Sequence, residues 1–236
     1  GINIEGAWNF TTGNDEVIVG VIDTGIAMEH SELIDVVNIG MSRDFSMNYP
    51  YIPAAVTDAH DFAHGTHVAG IIGAQGNNSN GLTGICQNVQ LVSLKIFYSD
   101  ESNFASQVVL AIDYASSVDI PILNLSHGLI NSNNSINSIE ILEAKLASYD
   151  GLLIIAAGND NIDLDNNETN YPYSVDSPNV IVVGSTNSNN QKSNFSNYGE
   201  ETVDIYAPGG EDNGVDNGRQ SHQIPRPAFQ QTLANA

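Results

Sequence analysis

Three short stretches carry side chains able to do acid–base or charge-stabilising chemistry: Asp23-Thr24-Gly25, His64-Gly65-Thr66-His67 and Ala156-Ala157-Gly158-Asn159. An imidazole titrates near neutral pH and can take and return a proton. Read singly, each stretch also has a plainer role. A histidine at a helix start is commonly structural, an aspartate after a strand caps a turn, and an asparagine after Gly158 tolerates left-handed geometry. His67, three residues beyond His64, is expected on the buried side of the helical turn. A zinc site built from His60, His64 and His67 is opposed by Gly65-Thr66, which stands where the His-Glu-x-x-His motif has its glutamate. Cys86, the single cysteine, is flanked by Ile85 and Val89 and reads as a buried thiol with no partner for an internal disulfide.

The elements that must hold these residues are legible from apolar patterning. Val17–Ile22 is a continuous apolar run ending at Asp23, the pattern of a strand buried on both faces. Val89–Ile96, Ile120–Leu125, Leu152–Ala157 and Val180–Val183 repeat it. Between them, Phe104, Val108, Ala111, Ile112 and Ala115 recur at helical spacing, as do Ile139, Leu142, Leu146 and Tyr149, with Gly151 expected as a helix stop. A further helix is expected from His64, its body buried through Val68–Ala74. Strands alternating with helices predict an α/β fold, a doubly wound parallel sheet with helices on both faces. In such sheets ligands collect at the carboxyl ends of the strands, and Asp23, Ser126 and Asn159 all follow strand ends. Segments 76–81, 131–135 and 187–197 are rich in Asn, Ser and Gly and read as surface loops.

Composition limits the partners. The 236 residues, 41% hydrophobic, can build a core, and a formal charge of −22 with only six Lys and Arg argues against nucleic acid and anionic membrane. No run reaches transmembrane length. After Gly210 the hydrophobic periodicity vanishes and Pro225-Arg226-Pro227 bars a helix. Residues 1–209 are therefore expected to form one domain and 210–236 an atypical tail outside the fold.

Asp23-Thr24-Gly25 after a buried strand, His64-Gly65-Thr66-His67-Val68-Ala69-Gly70 opening a helix, and Ala156-Ala157-Gly158-Asn159 after a strand resemble, in that order, the subtilisin-like family of serine proteases over roughly residues 5–209. The resemblance implies a serine endopeptidase with His64 as base, Asp23 as the carboxylate orienting it, and Asn159 as an oxyanion donor. It further implies a cleft for extended polypeptide formed by Ser126, His127 and Gly128 along one edge and by Ala156, Ala157 and Gly158, with Tyr98 a possible flank. His127 stands where the family usually has an apolar residue. Gln75–Leu82 is similar to the family's calcium loop, with Asn78 by its side chain, Asn80 and Leu82 by backbone carbonyls, and Glu32 in place of a usual aspartate as oxygen ligands. A secreted, extracellular monomer is the expectation that goes with the family.

The resemblance breaks after Ala207-Pro208-Gly209. The family's nucleophile lies in Gly-Thr-Ser-x-Ala-x-Pro, opening a central helix. Here the corresponding region reads Asn217-Gly218-Arg219-Gln220-Ser221-His222, so Ser221 is not assigned and no nucleophile is identified. The C-terminal helices of the family are expected to be missing. A frameshifted or mis-joined reading is preferred to a truncated fragment and to a non-catalytic, peptide-binding descendant. An aspartic protease built on Asp23-Thr24-Gly25 fails for want of a second such triplet, and because it leaves the α/β pattern and the His64 motif unexplained.

Overall fold

The first long strand, β1 (Gly13–Asp23), lies at the middle of a seven-stranded sheet and is buried from Val19 onward. The computed structural model describes residues 2–46, 58, 63–79, 81–96, 104–127, 136–166 and 177–211, with the side chains of 136–139 outside the described set. Around β1 the order of elements is α1 (Ile4–Trp8), β2 (Arg43–Asp44), α2 (His64–Gly73), β3 (Asn88–Lys95), α3 (Phe104–Ser117), β4 (Ile122–Leu125), α4 (Ile136–Ala147), β5 (Leu152–Ala156), β6 (Val180–Thr186) and β7 (Ile205–Pro208).

All strands pair in parallel, in the order β2-β3-β1-β4-β5-β6-β7. The chain builds outward from β1 in one direction through β3, then returns and builds outward in the other from β4. The reversal falls at the carboxyl end of β1, where a crevice opens in folds of this kind. This is the doubly wound α/β sheet expected from the sequence. The five apolar runs are strands, with β1 beginning four residues earlier than its apolar stretch. Two strands were not foreseen: β2 is two residues long, and every residue of β7 is exposed.

Alternation of side chains along the strands divides the core in two. Ile22, Leu94, Leu123, Leu125, Leu153 and Ile155 pack under α3 and α4. Val19, Val21 and Leu91 point the other way, under Val68 and Ala69 of α2 and the loop bearing Ile26, Leu33, Val36 and Val37. Helices therefore lie on both faces. Gly151 does not end α4, which stops at Ala147. It sits on the approach to β5, where a Cβ would meet the Pro121 carbonyl and the Tyr149 ring at 2.6 Å. Segment 187–197 is not all surface, since Ser193, Ser196 and Asn197 are buried. Cys86 is half-buried at the edge of the α2-side core rather than fully enclosed.

Candidate active site

The site begins with a close approach. Asp23 ends β1 and His64 opens α2, and the two can meet only because Gly65 has no side chain. A Cβ there would stand 2.2 Å from the Gly25 carbonyl and 3.1 Å from Asp23. Two threonines then lock the turn after β1 to the helix. Gly65 N–H donates to Thr24 Oγ1 at 2.9 Å, and Ala27 N–H donates to Thr66 Oγ1, also at 2.9 Å.

Held this way, His64 Nδ1 lies 2.7 Å from Asp23 Oδ1, and the carboxylate is fully buried. Burial pushes the Asp23 carboxyl up, but the hydrogen bond and charge of His64, the charge of His127 and the Thr24 N–H outweigh it, so Asp23 sits below the usual carboxylate range. An ionised carboxylate only accepts, so Nδ1 carries the proton and Nε2 keeps its lone pair. Burial lowers the His64 pKa, but the hydrogen bond and charge of Asp23, with the charge of Asp58, override that and hold it above the ordinary histidine value.

Asp58 is a residue the sequence reading missed. The residue before α2, Ala63, has φ 47° and gives no side-chain cap. Asp58 Oδ2 does that work from further back, accepting from Thr66 N–H at 3.1 Å and Thr66 Oγ1 at 2.7 Å. A carboxylate at a helix N-terminus satisfies an orphan donor and opposes the helix dipole. The available signal was an acid six positions before His64, which is weak.

His67 is not on the buried side of its turn. It is half-buried and lines an apolar groove of about 340 Å³ with Ile4, Trp8, His30, Gly70 and Ile71. Burial and the His64 charge hold its pKa below the ordinary value. His60 lies outside the described residues. The histidine brought beside His64 is instead His127, with ring centroids 5.1 Å apart.

The remaining cleft residues collect at neighbouring strand ends. Ser126 and His127 follow β4, which adjoins β1, and Asn124 Nδ2 donates to Ser126 Oγ at 2.7 Å. Ala156 ends β5, Ala157 is buried, and Gly158 has φ 99°, a conformation that favours glycine. Asn159 follows, half-buried. Its loop is shaped by Asn197, a second residue the sequence reading missed. The Asn197 side chain accepts from Asp160 N–H at 2.9 Å and Ile162 N–H at 3.0 Å, and donates to the Ala157 carbonyl at 2.8 Å. Its own N–H donates to the Gly158 carbonyl at 3.0 Å. Gly128, Tyr98 and Ser221 lie outside the described residues.

A buried carboxylate, an imidazole it orients and an amide-bearing loop, gathered at the switch point of a parallel sheet, are the furniture of a domain that activates a nucleophile. The Subtilase family matches residues 14–234. Subtilisin DY of Bacillus licheniformis is 34% identical over 194 residues, covering 82% of this chain and 64% of its own length. Subtilisin E of Bacillus subtilis (strain 168) is 33% identical over 199 residues, covering 84% of this chain and 48% of its own. Among solved structures, a cold adapted subtilisin-like serine proteinase superposes with a TM-score of 0.63 at 30% identity, covering 83% of this chain and 63% of that one. The chain belongs to the subtilase family of serine proteases, and it spans about half to two-thirds of the length of these relatives.

Proposed function

We propose that this chain carries the base, the orienting carboxylate and an oxyanion donor of a serine endopeptidase acting on extended polypeptides, and that its nucleophile is not among its identifiable residues. The 2.7 Å contact between His64 and Asp23 carries the reading. With Nδ1–H donated to Asp23, His64 Nε2 is the atom that takes a hydroxyl proton and returns it to the leaving amine. Asp23 stabilises the imidazolium formed in between. Asn159, on the loop after β5, supports a tetrahedral oxyanion through its side-chain amide. The peptide runs between the Ser126–Gly128 edge and Ala156–Gly158, where small residues leave room for a large side chain before the scissile bond.

Without a Gly-Thr-Ser motif, the 236-residue chain is expected not to turn over by itself. Ser221 is not the nucleophile on this reading; the chain is still tied to the domain at Gly210, whose N–H donates to the Thr186 carbonyl at 3.1 Å, and at Glu211, which accepts from Asn187 Nδ2 at 2.7 Å. The family and the acidic composition support a protein that works outside the cell as a monomer. Among the described residues no helix is long and apolar enough to cross a membrane. A fluorophosphonate probe tests the assignment, because only an activated serine reacts. The expected result is no labelling of this chain, and labelling once an in-frame segment with the nucleophile motif follows Gly209. Labelling of the present chain that disappears in Ser221→Ala would show that Ser221 is the nucleophile. A peptide-binding protein of the same fold would hold extended peptides but stay unlabelled in both forms.

We also propose that the 75–82 loop holds calcium. Glu32 is 3% exposed, and its Oε1 has no hydrogen-bond partner among the described residues. Asn78 Nδ2 donates to Glu32 Oε2 at 3.0 Å, and Gly81, at φ 47°, brings the loop so close that a Cβ would stand 2.8 Å from Oε1. A half-turn of the Asn78 amide presents Oδ1 in place of Nδ2. The donors are then all oxygen, which fits a hard cation: Glu32 and Asn78 by side chains and Leu82 by its carbonyl. Asn80 lies outside the described residues. The ion would neutralise the buried carboxylate and fix the loop that follows α2.

A further inference from the structure

His127 stands beside the pair, in the stretch proposed to border the peptide, and the proton transfer makes no use of its ring. Its ring is 5.1 Å from that of His64 and 6.1 Å from that of Phe104, centroid to centroid. One donor atom from each of Asp23, His64 and His127 lies within 4.8 Å of the other two.

We propose that His64 and His127 together bind a transition-metal ion of the zinc class, with Asp23 behind His64. Imidazole nitrogens suit zinc, copper and nickel, whereas calcium and magnesium prefer oxygen. Because His64 Nδ1–H is donated to Asp23, Nε2 is the nitrogen left to coordinate. A carboxylate behind a ligating histidine fixes the tautomer and makes the ring a better ligand. Zinc–nitrogen bonds of about 2.0–2.1 Å set two ligands about 3.3 Å apart around a tetrahedral ion. Rotation of His127 about its side-chain bonds supplies the closing movement. Asp23 Oδ2 is buried with no hydrogen-bond partner among the described residues, so the pocket holds negative charge that a dication offsets. The His64 side chain is 19% exposed, which leaves a path for the ion and for water to complete its shell. Occupancy ties up the lone pair that a base needs, making the ion an inhibitor. That consequence rests on the protease reading, but the binding does not.

Zinc titrated calorimetrically into the 236-residue chain at neutral pH is expected to fill a single saturable site. Proton NMR of the same unmutated sample is expected to show the ring signals of His64 and His127 moving while those of His30 and His67 stay. His127→Phe, which keeps an aromatic ring near Phe104, is expected to abolish the site. Asp23→Asn should weaken it about 10–100-fold, and His67→Ala should leave it intact. Magnesium is expected to move neither ring. The absence of a saturable site would overturn the proposal. So would a site that survives His127→Phe, or zinc shifts at His67 in place of His127. The ring shifts are read on the native sequence, so a poorly folded variant does not decide the outcome.

Discussion

Val17–Ile22 and Leu152–Ile155 are both unbroken apolar runs, yet the two halves of the sheet they belong to are covered differently. In β1 every residue from Val19 to Asp23 is buried. In β5 burial alternates between half-buried and buried, and β4 and β6 alternate in the same way. The registers Ile122↔Leu152, Asn124↔Ile154 and Ile154↔Ile181 put the half-buried residues on one face, opposite α3 and α4. Ile122 packs only at the margin of the α2-side core. Over β1 and β3 that face is closed by α2 and the 26–37 loop, whereas over β4–β6 the described residues close it only in part. An apolar run thus specifies a strand and the wish for cover on both sides, but the cover has to come from elsewhere in the chain.

The largest test of this contrast is a pair of truncations. Leu123→Ala, at a fully buried position under α3 and α4, is expected to cost about 2–5 kcal/mol in urea unfolding. Ile154→Ala, on the half-covered face, is expected to cost less than Leu123→Ala, since part of its side chain already meets water. Equal losses would show that the second face is as well closed as the first. The partly covered face should also bind a hydrophobic-reporting dye, and Ile154→Lys should lower that signal.

Calcium sharpens the contrast from the other side, because its loop belongs to the well-covered half. At about 100 times its dissociation constant it is expected to stabilise by about 2.7 kcal/mol. A raised melting temperature, most of it lost in Asn78→Ala, is the result to look for, with amide protection rising more in β1 and β3 than in β5 and β6. An identical melting curve in chelator would remove calcium from the account.

Asp58→Ala should have a smaller effect, about 1 kcal/mol, through loss of the cap on α2. Its mark should be local, with faster exchange in α2 and a lower His64 pKa, because the Asp58 charge helps to hold that pKa up. A loss spread evenly over both halves would mean that α2 is not a separate cover.

The smallest effect is the pH dependence of the Asp23–His64 pair. The His64 pKa is raised on folding, so its contribution is present below about 6.5 and lost as pH rises through the folded value. The Asp23 pKa is lowered, so its contribution is present above about 3.9 and lost as pH falls through the folded value. The pair therefore stabilises most between about pH 4 and 6.5. Asp23→Asn should lower stability within that window, flatten its fall on either side, and bring the His64 titration down, as followed by NMR. An unmoved His64 pKa would mean that Asp23 does not set it.

The parts of this arrangement that were legible in the sequence share a cause. Strands buried on both faces leave continuous apolar runs, and His64-Gly65-Thr66-His67 is a compact local string. What escaped depends on contacts between distant segments. Strand β7 is exposed at the sheet's edge, so no apolar alternation marks Ile205–Pro208. Asp58 caps a helix from outside its first turn. Asn197 lies in a polar stretch that reads as surface, because composition does not reveal that Ser193, Ser196 and Asn197 turn inward to satisfy backbone groups. His127 was expected in the cleft, but only the packing of β4 beside β1 brings its ring to His64.

Asn197 also imposes an order in time. The loop bearing Asn159 is held by side-chain bonds to a residue 35 to 40 positions further along the chain. At a synthesis rate of about 5–20 residues per second, the ribosome needs roughly 2–8 s to cover that distance. Asp23 and His64 can be joined while the loop that would receive the oxyanion still lacks its pin. In a nascent chain of this design the segments of the proton-handling pair emerge well before the residue that shapes the Asn159 loop.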